Sequence, residues 1–274
     1  MNVMVVGNSL FAEQVVDAGV ELRRWDYLHV TALDREYLSA IENSEGVNTI
    51  VYVPESIDLQ PAEGQGALDK AVREGKTAAQ LAIVARTIGA TLIVVSSHWV
   101  FSGHKPYTTL DHPNPAQTMG MGFVWCERMA RNIHDNVLVV RVGHLFGVER
   151  PYSWPHKVLQ AVRLHKMTKN INPIVHVTNR ASVTPTYDRL AALMLAAHIN
   201  VGAFNPGVVH MGPDNPTTWF GFCGLVGSPA KASTDGPGEA WTPQQQALVP
   251  SPGWSLGSHY KSAAKFLAEW ESSG

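Results

Sequence analysis

Two cysteines in 274 residues are too few to staple the chain. Cys126 and Cys223 read as reduced, buried thiols, and a disulfide framework is excluded. Charge is sparse as well: 21 Lys and Arg against 23 Asp and Glu give a formal net charge of -2. No basic excess exists to neutralise a run of phosphates, so nucleic acid is not an expected partner. No apolar run comes near the ~18 residues of a membrane span. The N-terminus MNVMVVGNSL lacks a basic stretch ahead of an apolar core, so no signal peptide is read, and the expected location is the cytoplasm. Gly-x-Ser-x-Gly and a Gly-Lys-Ser/Thr phosphate loop are both missing, which argues against a hydrolase elbow and a P-loop. There are twelve histidines, but His98, His104 and His112 lack ligand spacing and a Cys or carboxylate partner in register, so no metal is expected.

What is present is a regular alternation. Short apolar runs at Val3–Val6, Val47–Val53, Thr91–Val95 and Asn136–Val142 read as strands covered on both faces. Between them, Ser9–Asp17 and Ala67–Ile88 carry helical spacing, the second interrupted by Gly75. Such alternation predicts an α/β, Rossmann-like, doubly wound parallel sheet, with ligands at the strand carboxyl ends. After Gly147 prolines and glycines crowd the chain, with helical stretches at Pro155–Lys166, Tyr187–Ala197 and His259–Trp270. Residues 1–150 are therefore read as the core. Residues 151–274 are read as a small C-terminal substrate lobe interleaved with the last strands and helices of that core. Pro229–Pro252 has little periodicity and is predicted to be a long loop.

Residues 95–127 read VSSHWVFSGHKPYTTLDHPNPAQTMGMGFVWCE. This block resembles extended short-chain dehydrogenase/reductases, most closely the dTDP-4-dehydrorhamnose reductase family. Ser96, Ser97, Val100, Phe101, Gly103, Pro106, Tyr107, Asp111, Pro115, Gly120 and Glu127 fall in register with its Ser-Thr-Asp-Tyr-Val-Phe-x-Gly to Tyr-Gly-x-Ser-Lys-x-x-Gly-Glu pattern. Arg141 with Phe146 and Gly147, Thr184–Tyr187, and Thr217–Phe222 continue the similarity. The resemblance implies a ketone-reducing fold in which a Tyr donates the proton and a Lys one helical turn on lowers the phenol's pKa from its usual value of about 10. Met119 and Phe123 stand at those two places. A thioether has no exchangeable proton and a phenyl ring no charge.

Ser97 matches the residue that binds the substrate carbonyl in that family; it also reads as a strand-end hydroxyl satisfying backbone groups. His98 is an alternative acid by its ordinary pKa, yet strand alternation points it away from Ser97. In place of the family's Gly-x-x-Gly-x-x-Gly turn stands Gly7-Asn8-Ser9-Leu10-Phe11-Ala12, with one glycine left. Gly7, Ser9, Ala12 and Arg24 are what remains of a cofactor site, Arg23 and Arg24 being placed after the second strand. Trp154 and Tyr187 join Ser97 as candidate substrate contacts. No cofactor is expected, NADP or NAD being the candidates if one binds. A nucleotide sugar, a protein partner or a second copy are the candidate partners. The combined reading is a catalytically inactive reductase homologue used for binding, regulation or assembly. A reductase with an unusual proton donor and a nucleotide-sugar sensor are its rivals.

Overall fold

The computed structural model describes residues 2–22, 26–31, 46–58, 64–103, 105–150, 176–178, 182–202, 205–225, 231–233 and 247–272. Arg23, Arg24, His104, Tyr152, Trp154 and the predicted helix Pro155–Lys166 lie outside them. The chain runs β1 (Asn2–Val6), α1 (Leu10–Glu21), β2 (Asp26–Val30), β3 (Val47–Tyr52), α2 (Gln65–Ile88), β4 (Thr91–Ser97), β5 (Pro106–Tyr107) and α3 (Thr118–Ile133). It continues through β6 (Val137–Val142), β7 (His144–Phe146), β8 (His176–Thr178), β9 (Ser182–Val183), β10 (Pro185–Tyr187), α4 (Asp188–Val201) and β11 (Gly207–Met211). It ends with β12 (Thr217–Thr218), α5 (Trp219–Leu225), β13 (Lys231–Ser233), β14 (Ala247–Leu248) and α6 (His259–Ser272).

Six of these strands form one parallel sheet in the order β11-β6-β4-β3-β1-β2. The period-2 geometry of the strands divides their apolar side chains between two cores. Val3, Val5, Val51, Ile93, Val95 and Val140 pack toward α1 and α4, with Phe11, Val15 and Leu195. Met4, Ile50, Leu92, Val94 and Val139 pack on the other face toward α2 and α3, with Ala78, Leu81 and Cys126. Both faces are covered, which is why the strands read as unbroken apolar runs. The chain changes direction between β1 and β3, so the crevice expected of such a sheet opens over Gly7 and Val53.

Several boundaries depart from the sequence reading. Gly75 does not interrupt α2, which is continuous over 24 residues. A Cβ there would come within 3.3 Å of the Trp125 Cβ, so the missing side chain lets α2 and α3 pack closely. β2 begins at Asp26, so Arg23 and Arg24, outside the described residues, come before it in sequence rather than after it. The Pro229–Pro252 stretch is not all loop: β13 pairs with β8, and β14 pairs with β5. Ala247 and Leu248 are fully buried.

A buried ion pair joins α3 to the sheet. Arg141 on β6 donates through Nε to Glu127 Oε1 at 2.8 Å and through Nη2 to Oε2 at 2.7 Å. Ser96 Oγ on β4 donates to the same carboxylate at 2.6 Å. The two charged side chains are 4% and 5% exposed. Removing either partner strands a charge in the interior, so Glu127→Ala or Arg141→Ala is expected to destabilise the fold by about 3–5 kcal/mol. Urea denaturation reads this directly, and a loss under about 1 kcal/mol would contradict it.

Candidate functional site

The carboxyl end of β4 carries Ser97, and the strand stops there. Ser97 caps a 3-10 turn, His98–Val100, its hydroxyl accepting from Trp99 N–H at 3.4 Å. Because His98 already belongs to that turn, strand alternation does not govern it. Its Nδ1 lies 3.2 Å from Ser97 Oγ, so the two side chains meet, contrary to the sequence reading. His98 is buried and its ring sits 3.6 Å, centroid to centroid, from the ring of His144 on β7. His144 in turn meets Trp219, the first residue of α5, edge to face at 5.4 Å.

Two buried polar atoms in this chain of rings, His144 Nδ1 and Trp219 Nε1, have no hydrogen-bond partner among the described residues, while the His98 ring lies against the backbone of Val142 and Gly143. Orphaned buried groups of this kind cost stability unless something meets them. Their convergence beside Ser97 marks the place where a polar ligand would be met. Sequence reading missed His144 and took Trp219 only as part of the Thr217–Phe222 similarity, because neither stands out locally from core aromatic residues.

Met119 and Phe123 face an apolar neighbourhood. Both are buried on α3 with Val100, Phe101, Tyr107, Val124 and Leu248. Leu248 reaches this cluster because β14 pairs with β5. Tyr187 is not presented to Ser97. It is 1% exposed in a hydrophobic cluster with Phe146 and Phe266, and its hydroxyl donates to Glu269 on α6. That bond and burial push its phenol well above the usual value, burial being the larger cause. The cavity beside it, about 330 Å³, is lined by Asp17, Glu21, Glu149, Asp188, Glu269 and Arg189 among others. So acidic a lining does not suit a phosphate-bearing ligand.

At the tip of β1, Gly7 turns at φ 152°, and a Cβ there would lie 2.3 Å from the Val53 carbonyl oxygen. Ser9 caps α1, accepting from Ala12 N–H at 3.1 Å. Ala12 is fully buried against the sheet. Leu10 N–H donates to the carboxylate of Asp58, from the 3-10 turn that follows β3. A dinucleotide's pyrophosphate would need these amides. With two of them already satisfied from within the chain, and one by an anion, the tip as arranged does not fit that group.

Burial holds both site histidines neutral. His144 is lowered to about 3 by desolvation, and His98 falls well below its ordinary range through burial and then the neighbouring His144. In the unfolded chain each titrates near about 6.5. The unfolded chain therefore takes up protons below that pH which the folded protein excludes. Stability is complete above about pH 6.5 and falls as pH drops toward about 3. Between roughly pH 6.5 and 5.5 the expected loss is about 1 kcal/mol per histidine. His210, lowered to about 4 mainly by burial, adds to the same slope. Urea midpoints across this range check it, and His144→Gln should flatten the slope; an unaltered slope in that variant would contradict the assignment.

Comparison with known proteins agrees with this architecture. The sequence pattern of the RmlD substrate binding domain matches residues 5–265. A dTDP-4-dehydrorhamnose reductase of Streptomyces griseus is 30% identical over 170 residues, 59% of this chain and 52% of that protein. The match thus spans about half the length of that relative. The crystal structure of dTDP-4-dehydrorhamnose reductase from Yersinia enterocolitica superposes with a TM-score of 0.74 at 16% identity, over 98% of this chain and 99% of that one. The dTDP-4-dehydrorhamnose reductase of Bacillus anthracis, solved in complex with NADP, gives 0.69 at 18% identity, over 98% and 99%. At these identities the structural likeness carries the fold alone. The sequence match extends over nearly the whole chain, which therefore belongs to the RmlD substrate binding domain family.

Proposed function

We propose that this chain is a catalytically inactive, dTDP-4-dehydrorhamnose reductase-like protein that acts by binding, as a regulatory or assembly subunit, with a nucleotide sugar as its small ligand. The observation that carries the reading is the surroundings of Met119 and Phe123. Reducing a ketone with a nicotinamide needs a proton delivered to the carbonyl oxygen as hydride arrives. The side chains at these positions of α3 can neither hold nor move one, and their neighbours Phe101, Val124 and Leu248 are apolar too. Absence of general acid–base catalysis costs roughly 10²–10⁴ in rate. The His144 and Trp219 ring nitrogens near Ser97, without partners among the described residues, supply polar groups that a bound sugar would engage. Two buried free thiols, Cys126 and Cys223, fit a reducing cytoplasmic setting.

A second reading is favoured by the 3.2 Å contact of Ser97 with His98. In it, Ser97 holds the carbonyl oxygen and His98 supplies the proton, making the chain a reductase with an unusual donor. Against it stands the low pKa of His98, which leaves little imidazolium at neutral pH.

One assay separates the two. Purified protein with NADPH and a dTDP-4-keto sugar is expected to oxidise no more NADPH than a protein-free control, while the nucleotide sugar alone raises the melting temperature. Steady turnover would overturn the first reading. If His98→Ala then abolished that turnover, the second would stand.

A further inference from the structure

The layer that α2 and α3 form over the sheet turns an apolar seam outward. Glycine lets the two helices lie close: a Cβ at Gly75 would come 3.3 Å from the Trp125 Cβ, and one at Gly122 2.9 Å from the Ala71 Cβ. At ~3.6 residues per turn, the residues flanking these contacts on the solvent side are Val72, Ala79 and Ile83 on α2 and Met121, Trp125 and Met129 on α3. Ile83, Met121 and Met129 are 44%, 43% and 46% exposed, and the other three are half-buried. Around them stand five exposed cations, Arg73, Lys76, Arg86, Arg128 and Arg131. Asp69 is the one exposed carboxylate of the two helices, because Glu74 is turned in to Ser56 N–H and Glu127 to Arg141. Arg86 donates to the Ile133 carbonyl, whereas Arg73, Lys76, Arg128 and Arg131 meet no acidic group among the described residues. The whole chain has a net charge of -2, so this positive excess belongs to the layer and not to the composition.

We propose that the outer face of α2 and α3 is a docking surface for an acidic amphipathic helix of a partner protein, whose apolar stripe lies along the seam and whose carboxylates meet the surrounding cations. Charge decides against a second copy of this chain. A two-fold dimer sets a patch against itself, so cations would face cations across the contact. Depth decides against a lipid surface. A helix lying in a membrane sinks its apolar face by roughly 5–10 Å, and these side chains are held half-buried on a closely packed pair. Length suits a helix: Leu68, exposed at the start of α2, to Ile83 covers about 22 Å at ~1.5 Å per residue, some four turns of a partner. Two methionines in the seam give it the adaptable lining that such grooves use. The inference uses no residue of the cleft and stands whether or not the chain turns anything over.

The probe is a fluorescein-labelled helical peptide with Leu at every third or fourth position and Glu at the others, titrated by anisotropy into the full-length protein beside a counterpart in which every Glu is Lys. The Glu peptide is expected to bind about ten-fold or more tightly than the Lys peptide, with the difference shrinking as salt is raised. Reversing two charges, Arg73→Glu with Arg128→Glu, should cancel that preference, and Ile83→Ser with Met129→Ser should weaken the Glu peptide at every salt concentration. All four positions are exposed, so circular dichroism should report folded variants. No saturable binding of the Glu peptide, equal binding of the two peptides, or variants with wild-type affinity would each overturn the proposal. A dimer seen in sedimentation velocity and abolished by Ile83→Ser with Met129→Ser would give the face to a second copy instead. Capture on phosphatidylserine vesicles, lost in the charge-reversed variant, would give it to a membrane. Turnover by the wild-type protein would end the reading in the previous section without altering these comparisons.

Discussion

The buried pairing of Glu127 with Arg141 is the constraint on which the site depends. A carboxylate and a guanidinium this deep are tolerable only because two parallel hydrogen bonds and the Ser96 hydroxyl answer the carboxylate. Arg141 also lies 5.1 Å from the Phe101 ring centroid and 3.4 Å from His210 Nε2. His210 Nδ1 in turn meets the Tyr107 carbonyl. One pair therefore fixes the azimuth of α3 and the ends of β4 and β6 together. Met119 and Phe123 ride on that helix, so this contact acts together with the apolar cluster they occupy in holding them.

Around this frame, two places that would hold polar chemistry in a ketone reductase are filled in different ways. On α3, Met119 and Phe123, which the resemblance aligns with a proton-donating Tyr and Lys, lie in a hydrophobic cluster that includes Leu248. At α1, the amide groups that would receive phosphate are answered by Ser9 and Asp58. The first is a matter of residue type, the second of contacts within the chain. Beside them, the rings of His144 and Trp219 keep polar atoms that no group among the described residues meets.

Legibility in the sequence followed the range of the interactions involved. Strands β1, β3, β4 and β6 were plain because two covered faces demand continuous apolar runs. The likeness of residues 95–127 to the family pattern made the family legible, and the matching family model spans residues 5–265. Local rules failed at an element's end: alternation was carried one residue too far, into a 3-10 turn, and set His98 facing away from Ser97. Tyr187 was drawn toward the substrate by motif, whereas its hydroxyl is bonded to Glu269, 82 residues later. Asp58 and Arg150 are 92 residues apart and carry no local mark. Arg24 and Trp154 fall outside the described residues.

The pairing of β14 with β5 has a consequence for how the molecule is assembled. Leu248 completes a cluster whose other buried members lie between Val100 and Val124, so this cluster stays incomplete until the C-terminal quarter of the polypeptide has emerged from the ribosome and folded back. A nascent or truncated chain would hold that patch open to solvent, a natural foothold for a chaperone.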